Sequence, residues 1–140
     1  MTTTTINAFE HTMQVTNEWL DELGQQLGRT DRKHAYRVLR AVLIALRDRL
    51  TVEEASDLGA QLPMLVRGIY YEQWNPSKTP SGERNRQAFL NRVAENLQDI
   101  DGSPEDATRA VFELLSHHVT GGEIEHVKGN LPADVQTLWP

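Results

Sequence analysis

His117, His118, Glu123 and His126 fall within ten residues of one another. Imidazole and carboxylate are the side chains that hold transition metals in the absence of thiolates. Glu123-x-x-His126 also has the spacing used in helical bundles that carry two metal ions, because residues three apart share a helix face. Such bundles take a second Glu-x-x-His from another helix. Here the corresponding stretch of the first half reads Glu54-x-x-Asp57. Each residue also has a plainer role. Glu123 follows Thr120 by three positions and completes a capping box, while His117 and His118 fall in a last helical turn, where positive charge is favoured. We therefore expect no metal and no cofactor, and these four residues are the set that would hold one.

Two further constellations could bind a partner. Arg67, Tyr70, Tyr71 and Trp74 recur at helical spacing beside a linker, and arginine with aromatics is the usual composition of a binding hot spot. The alternative is an aromatic plug for the end of a bundle, since Trp139 stands where Tyr70 does in the first half. Lys33, Arg37, Arg40 and Arg47, at i, i+4, i+7 and i+14, read as a basic stripe that could meet phosphates, a protein, or solvent alone. Net charge is -6 and only Tyr36 interrupts the stripe as a stacking residue, which disfavours nucleic acid. Charge is also uneven: residues 29–49 hold seven Lys/Arg against two Asp, and residues 94–126 hold eight Asp/Glu against one Arg. Opposite-charged halves could therefore pair in a homodimer.

Catalysis has no foothold. The chain has no cysteine, hence no disulfide, thiolate ligand or cysteine nucleophile. It has neither a Gly-x-Ser-x-Gly elbow nor a glycine-rich dinucleotide loop. We expect no catalytic residue, and a non-enzymatic binding or protein-interaction module is the favoured function. A metal-binding protein or metal-dependent enzyme using the histidine cluster is the alternative, and anion binding through the basic stripe a further one. The N-terminal residues lack a basic and an apolar region, and no apolar run reaches about 20 residues, so a soluble cytoplasmic protein with no membrane partner is expected.

The elements that position these residues all read as helix. Phe9, Met13, Leu20, Leu23 and Leu27 recur at helical spacing, with Trp19 beside them, and Gly28 ends the run. Asp31 caps a second helix with Ala35, Leu39, Val42, Leu43, Leu46 and Leu50 inward. Thr51-Val-Glu-Glu54 is a capping box for a third, and Leu62-Pro63 breaks it, with a short helix over about 63–71. Asn75 to Gly82 is a linker, after which Ser103-Pro104 and Thr120-Gly-Gly-Glu123 start further helices and Leu131-Pro132 makes a second break.

The pattern occurs twice. At an offset of 69, Leu46, Leu50, Thr51, Glu54, Leu58, Leu62 and Pro63 fall on Leu115, Val119, Thr120, Glu123, Val127, Leu131 and Pro132. The expected fold is all-α: a single helical bundle of two three-helix pseudo-repeats, each with a short extra helix after its Leu-Pro break. Residues 1–7 are expected as a disordered tail, and 8–140 as one helical domain, with pseudo-repeats over about 8–74 and 83–140 and a linker at 75–82.

Leu46-Arg-Asp-Arg-Leu50, Gln61-Leu-Pro63, Arg67-Gly-Ile-Tyr-Tyr-Glu-Gln-Trp74, Gly122-Glu-Ile-Glu-His-Val-Lys128 and Asn130-Leu-Pro-Ala-Asp-Val135 resemble the bacterial family called domain of unknown function 2267. The similarity covers about residues 8–140. It implies a small all-helical bacterial protein and no activity, substrate or site residue.

Overall fold

Caps and stops divide the chain into eight α-helices in the computed structural model, which describes residues 5–140. They are α1 (Asn7–Leu27), α2 (Arg32–Arg49), α3 (Val52–Ala60), α4 (Met64–Tyr71), α5 (Arg86–Leu97), α6 (Pro104–His118), α7 (Gly121–Gly129) and α8 (Ala133–Gln136), with one 3-10 turn at Pro76–Lys78. There is no strand among the described residues. Of the expected tail at 1–7, residues 1–4 lie outside the described residues, and α1 begins at Asn7.

The local signals act as the residue types require. Asp31 accepts the Lys33 amide, Asn85 the Ala88 amide, and Ser103 the amides of Glu105 and Asp106, each relieving first-turn N–H groups that a helix leaves unpaired. Gly28 is left-handed at φ 72°, and the Arg29 N–H returns 2.8 Å to the Gly24 carbonyl, closing α1. Pro63 and Pro132 precede α4 and α8. The orphan amide of Leu65 in α4 is taken by Thr12 Oγ1 of α1 at 3.0 Å.

α2 is the central helix and packs against α1, α4, α5 and α6. Its Ala35, Leu39, Val42, Leu43 and Leu46 are wholly buried, and Leu50 just beyond its end is too. α3 packs on α7, α5 on α6 and α8, and α6 on α1. Residues of both halves thus enter one continuous core. At one end Phe112 stacks on Trp139 with centroids 4.0 Å apart, and Phe89 lies tilted beside Phe112. The segment between α4 and α5 is tied down, since the Ser81 amide donates to the Asp48 carbonyl and Arg49 Nε to that of Glu83.

α1 departs from its expected packing. Phe9 and Met13 belong to its apolar series, yet they are 51% and 53% exposed. The buried face runs through Thr12, Thr16, Trp19, Leu20 and Leu23 instead. Helical spacing places Phe9 and Met13 at the edge of that face, and no neighbouring helix covers them.

Candidate functional site

The histidine cluster separates into two places. His117 Nδ1 and His118 Nε2 engage opposite oxygens of Glu22 in α1, at 2.7 and 2.9 Å, and His118 stacks on Trp19 at 4.6 Å. Burial raises the Glu22 carboxyl and its bonds to the two imidazoles lower it, with a net shift downward. One carboxylate between two rings ties the end of α6 to α1. The four candidate residues His117, His118, Glu123 and His126 are therefore not assembled in one place, because α6 ends before the turn that begins α7 and its last residues face α1.

Glu123 and His126 meet α3. One ligand atom each from Glu54, Glu123 and His126 lie within 4.8 Å of one another, the only such group of three among the described residues. Glu123 is 8% exposed, Glu54 is half-buried and His126 is exposed. The two capping-box acids, one from each half of the chain, thus face each other where α3 packs on α7. Asp57, one turn beyond Glu54, adds further negative charge. Burial of Glu123, its bond to Glu54 and the charges of Glu54 and Asp57 push the Glu123 carboxyl up to about 7, with His126 pulling the other way. The bond needs a proton on one acid. With both ionised, Glu54 Oε1 and Glu123 Oε2 are buried without a donor.

This pairing exists because neither capping box closes. Thr51 Oγ1 and Thr120 Oγ1 accept the amides of Glu54 and Glu123 at 3.2 and 3.4 Å, as expected. The return bond is missing in both. At Thr120 its place is taken by Gln61 of the other half, whose Oε1 accepts the Thr120 amide at 3.0 Å while its Nε2 donates to Thr120 Oγ1. The role assigned to Glu123 from its spacing is thus filled by another residue, and its carboxyl is left for the seam.

The aromatic constellation is mostly structural. Tyr70 is fully buried, and its hydroxyl donates to the Ala55 carbonyl at 2.8 Å; burial pushes that hydroxyl far above its ordinary range, so it remains a donor. The Arg67 guanidinium caps the end of α3 through the carbonyls of Gly59, Ala60 and Leu62. Tyr71 and Trp74 are half-buried and stacked at 5.3 Å. The Tyr71 ring lies so close to Gly59 that a Cβ there would overlap it.

The basic stripe also divides. Arg47 is buried, pairs with Asp48 at 2.8 Å and donates to the carbonyls of Tyr70 and Glu72 at the C-terminal end of α4. It sits seven residues after Arg40, but α2 dips under α4 there, so its side chain points inward. Arg40 is held by Glu72 at 2.6 Å and Arg37 lies 3.7 Å from Asp99. Lys33 is exposed at the rim of a groove of about 550 Å³ between α1, α2 and α4. That groove is lined chiefly by Leu20, Tyr36, Leu65 and Ile69, with Thr16 at its wall and Arg32 and Lys33 at its edge. Leu65 in its lining is 42% exposed, and Met64, the residue before it, is 53% exposed. The sequence signal for this apolar face was present in the periodicity of α1, but that periodicity does not say which apolar residues gain a cover.

The sequence matches a known family. The family described as uncharacterized conserved protein (DUF2267) matches residues 16–138. The chain belongs to this family. No curated protein matches it. No helix among the described residues is long and apolar enough to cross a membrane.

Proposed function

We propose that the protein is a non-enzymatic protein-interaction module that works through the α1/α4 face, and that the face is filled by the same face of a second copy. The observations that carry this are the exposure of Phe9 and Met13 on α1 and of Met64 and Leu65 on α4, all more than two-fifths exposed, and the apolar groove between these helices that Leu65 lines. Leaving large apolar side chains in water forgoes roughly 1.5–3 kcal/mol for each one that could be buried. A cluster of them with a polar rim is what a docking surface looks like before it docks.

A second copy suits the face because ridge and groove lie side by side on it. Phe9 and Met13 stand on the N-terminal half of α1, and the groove opens beside Leu20 on its C-terminal half. Two α1 helices laid antiparallel put each ridge over the other's groove, which is the self-complementarity a twofold interface requires. The same pairing carries Glu10 of one copy toward Lys33 at the groove edge of the other. The proposed homodimer uses the α1/α4 face, an alternative to pairing between the basic and acidic halves.

The same proposal takes the chain as two diverged copies of one helical unit, with α1–α4 as one and α5–α8 as the other. In support, Arg67 and Gln136, which share a place at the offset of 69, bond the carbonyls of Leu62 and Leu131. Tyr70 and Trp139 are both buried.

Light scattering on the purified protein across a concentration series tests the interface. A dimer that becomes a monomer in Met13→Glu, with helix content by circular dichroism unchanged, is expected. A wild-type chain that stays monomeric up to about millimolar concentration, where even a weak interface of about -4 kcal/mol would register, overturns it.

A further inference from the structure

We propose that Glu54, Glu123 and His126 form a binding site for a divalent transition-metal cation, held between α3 and α7 and independent of the α1/α4 face. Two carboxylates and one imidazole converge, with ligand atoms within 4.8 Å of one another. Metal–ligand bonds of about 2.1 Å put ligand atoms about 3–4 Å apart, so small rotations of these side chains close the site. Three protein ligands leave coordination positions for water or an incoming ligand.

A second observation points to a cation. Glu123 is more than nine-tenths buried, and its Oε2 has no donor; Glu54 Oε1, buried beside it, has none either. Acids in a structural seam are ordinarily met by arginine, lysine or backbone amides. Here the helix-start amide that Glu123 would take is already bonded to Gln61. The groups that face Glu123 are Glu54 and Asp57 from α3, His126 from its own helix, and the neutral Tyr70 hydroxyl from α4, which is committed to Ala55. None is a permanent cation. A bound dication offsets the charge of the two acids and gives their buried oxygens a partner.

The mixed nitrogen and oxygen ligand set fits a first-row cation such as Co²⁺ or Zn²⁺ better than Ca²⁺, which takes six to eight oxygens. The His126 ring is exposed, so it can turn to the ion and its removal leaves the core intact.

Calorimetric titration of the chelator-treated full-length protein with Co²⁺ tests the site. The expected result is one equivalent bound. Affinity should fall at least tenfold in Glu123→Gln and in His126→Ala, and hold in the double variant His117→Ala/His118→Ala. His126→Ala should keep the wild-type circular dichroism spectrum and lose the cobalt visible absorption that wild type acquires. No Co²⁺ binding at millimolar concentration, or binding that survives His126→Ala and is lost in the His117→Ala/His118→Ala variant, overturns the proposal.

Discussion

Between α3 and α7 a carboxylic acid lies inside the protein; on the α1/α4 face a phenylalanine, two methionines and a leucine lie outside it. The two regions invert the usual sorting of side chains in opposite senses. The seam is polar where water is excluded, and the face is apolar where water is present. Each arrangement costs free energy that a bound species could return: a cation for the seam, a second apolar surface for the face. The contrast also separates two kinds of buried charge. Arg47 is as deeply buried as Glu123, but its guanidinium is matched by Asp48 and two carbonyls. Burial alone therefore does not mark a site; Glu123 differs from Arg47 in having a buried oxygen without a partner.

Removing the matched charge is the harshest test of that distinction. Arg47→Ala should destabilise the protein by about 3 kcal/mol, because it strands Asp48 and the α4 carbonyls. Denaturant unfolding measures it, and a loss below about 1 kcal/mol would erase the contrast with Glu123.

Glu123→Gln should act the other way above neutral pH. The folded carboxyl sits at about 7 and its ordinary value is 4.5, so the folded state holds the proton more tightly. Its contribution is full below 4.5 and is lost as pH rises to about 7, by up to about 3 kcal/mol at pH 8 without metal. The glutamine amide can donate to Glu54 at any pH. Unfolding at pH 5 and pH 8 should therefore show the variant gaining about 2 kcal/mol on wild type between the two. Equal pH profiles would mean that the two acids do not share a proton.

On the opposite region, Leu65→Glu should weaken self-association by about 2 kcal/mol, roughly thirtyfold in Kd, as for an interface hot spot. The monomer's own stability should change by less than about 1 kcal/mol, since the residue is outside the core. Sedimentation at several concentrations separates the two effects. Tyr70→Phe should cost about 1 kcal/mol by removing the hydroxyl's bond to the Ala55 carbonyl, without altering association. Lys33→Ala should leave stability within about 0.5 kcal/mol and affect only the dimer.

Much of the fold was legible along the chain. Gly28, Asp31, Thr51, Ser103, Thr120 and the two Leu-Pro pairs mark helix ends, and the leucines of α2 mark its buried face. The sites were legible only in part. Glu123 and His126 were grouped with His117 and His118, which the packing sends to Glu22, and Glu54 was seen only as the counterpart of Glu123, not as its neighbour. Arg67 and Tyr70 were read as part of one binding cluster, and their polar groups serve the end and a carbonyl of α3.

What the chain determined by itself is its set of helices, their caps and the apolar side of each. Those depend on interactions within a few residues, which the 3.6-residue period and the cap chemistry record directly. The tertiary structure alone decided which helix meets which. Crossing α3 over α7 put Gln61 on Thr120 and freed Glu123 to face Glu54. Turning the end of α6 toward α1 sent His117 and His118 to Glu22. Periodicity fixes a side chain's angle about its own helix axis; its neighbours across the bundle depend on a packing that no single helix encodes.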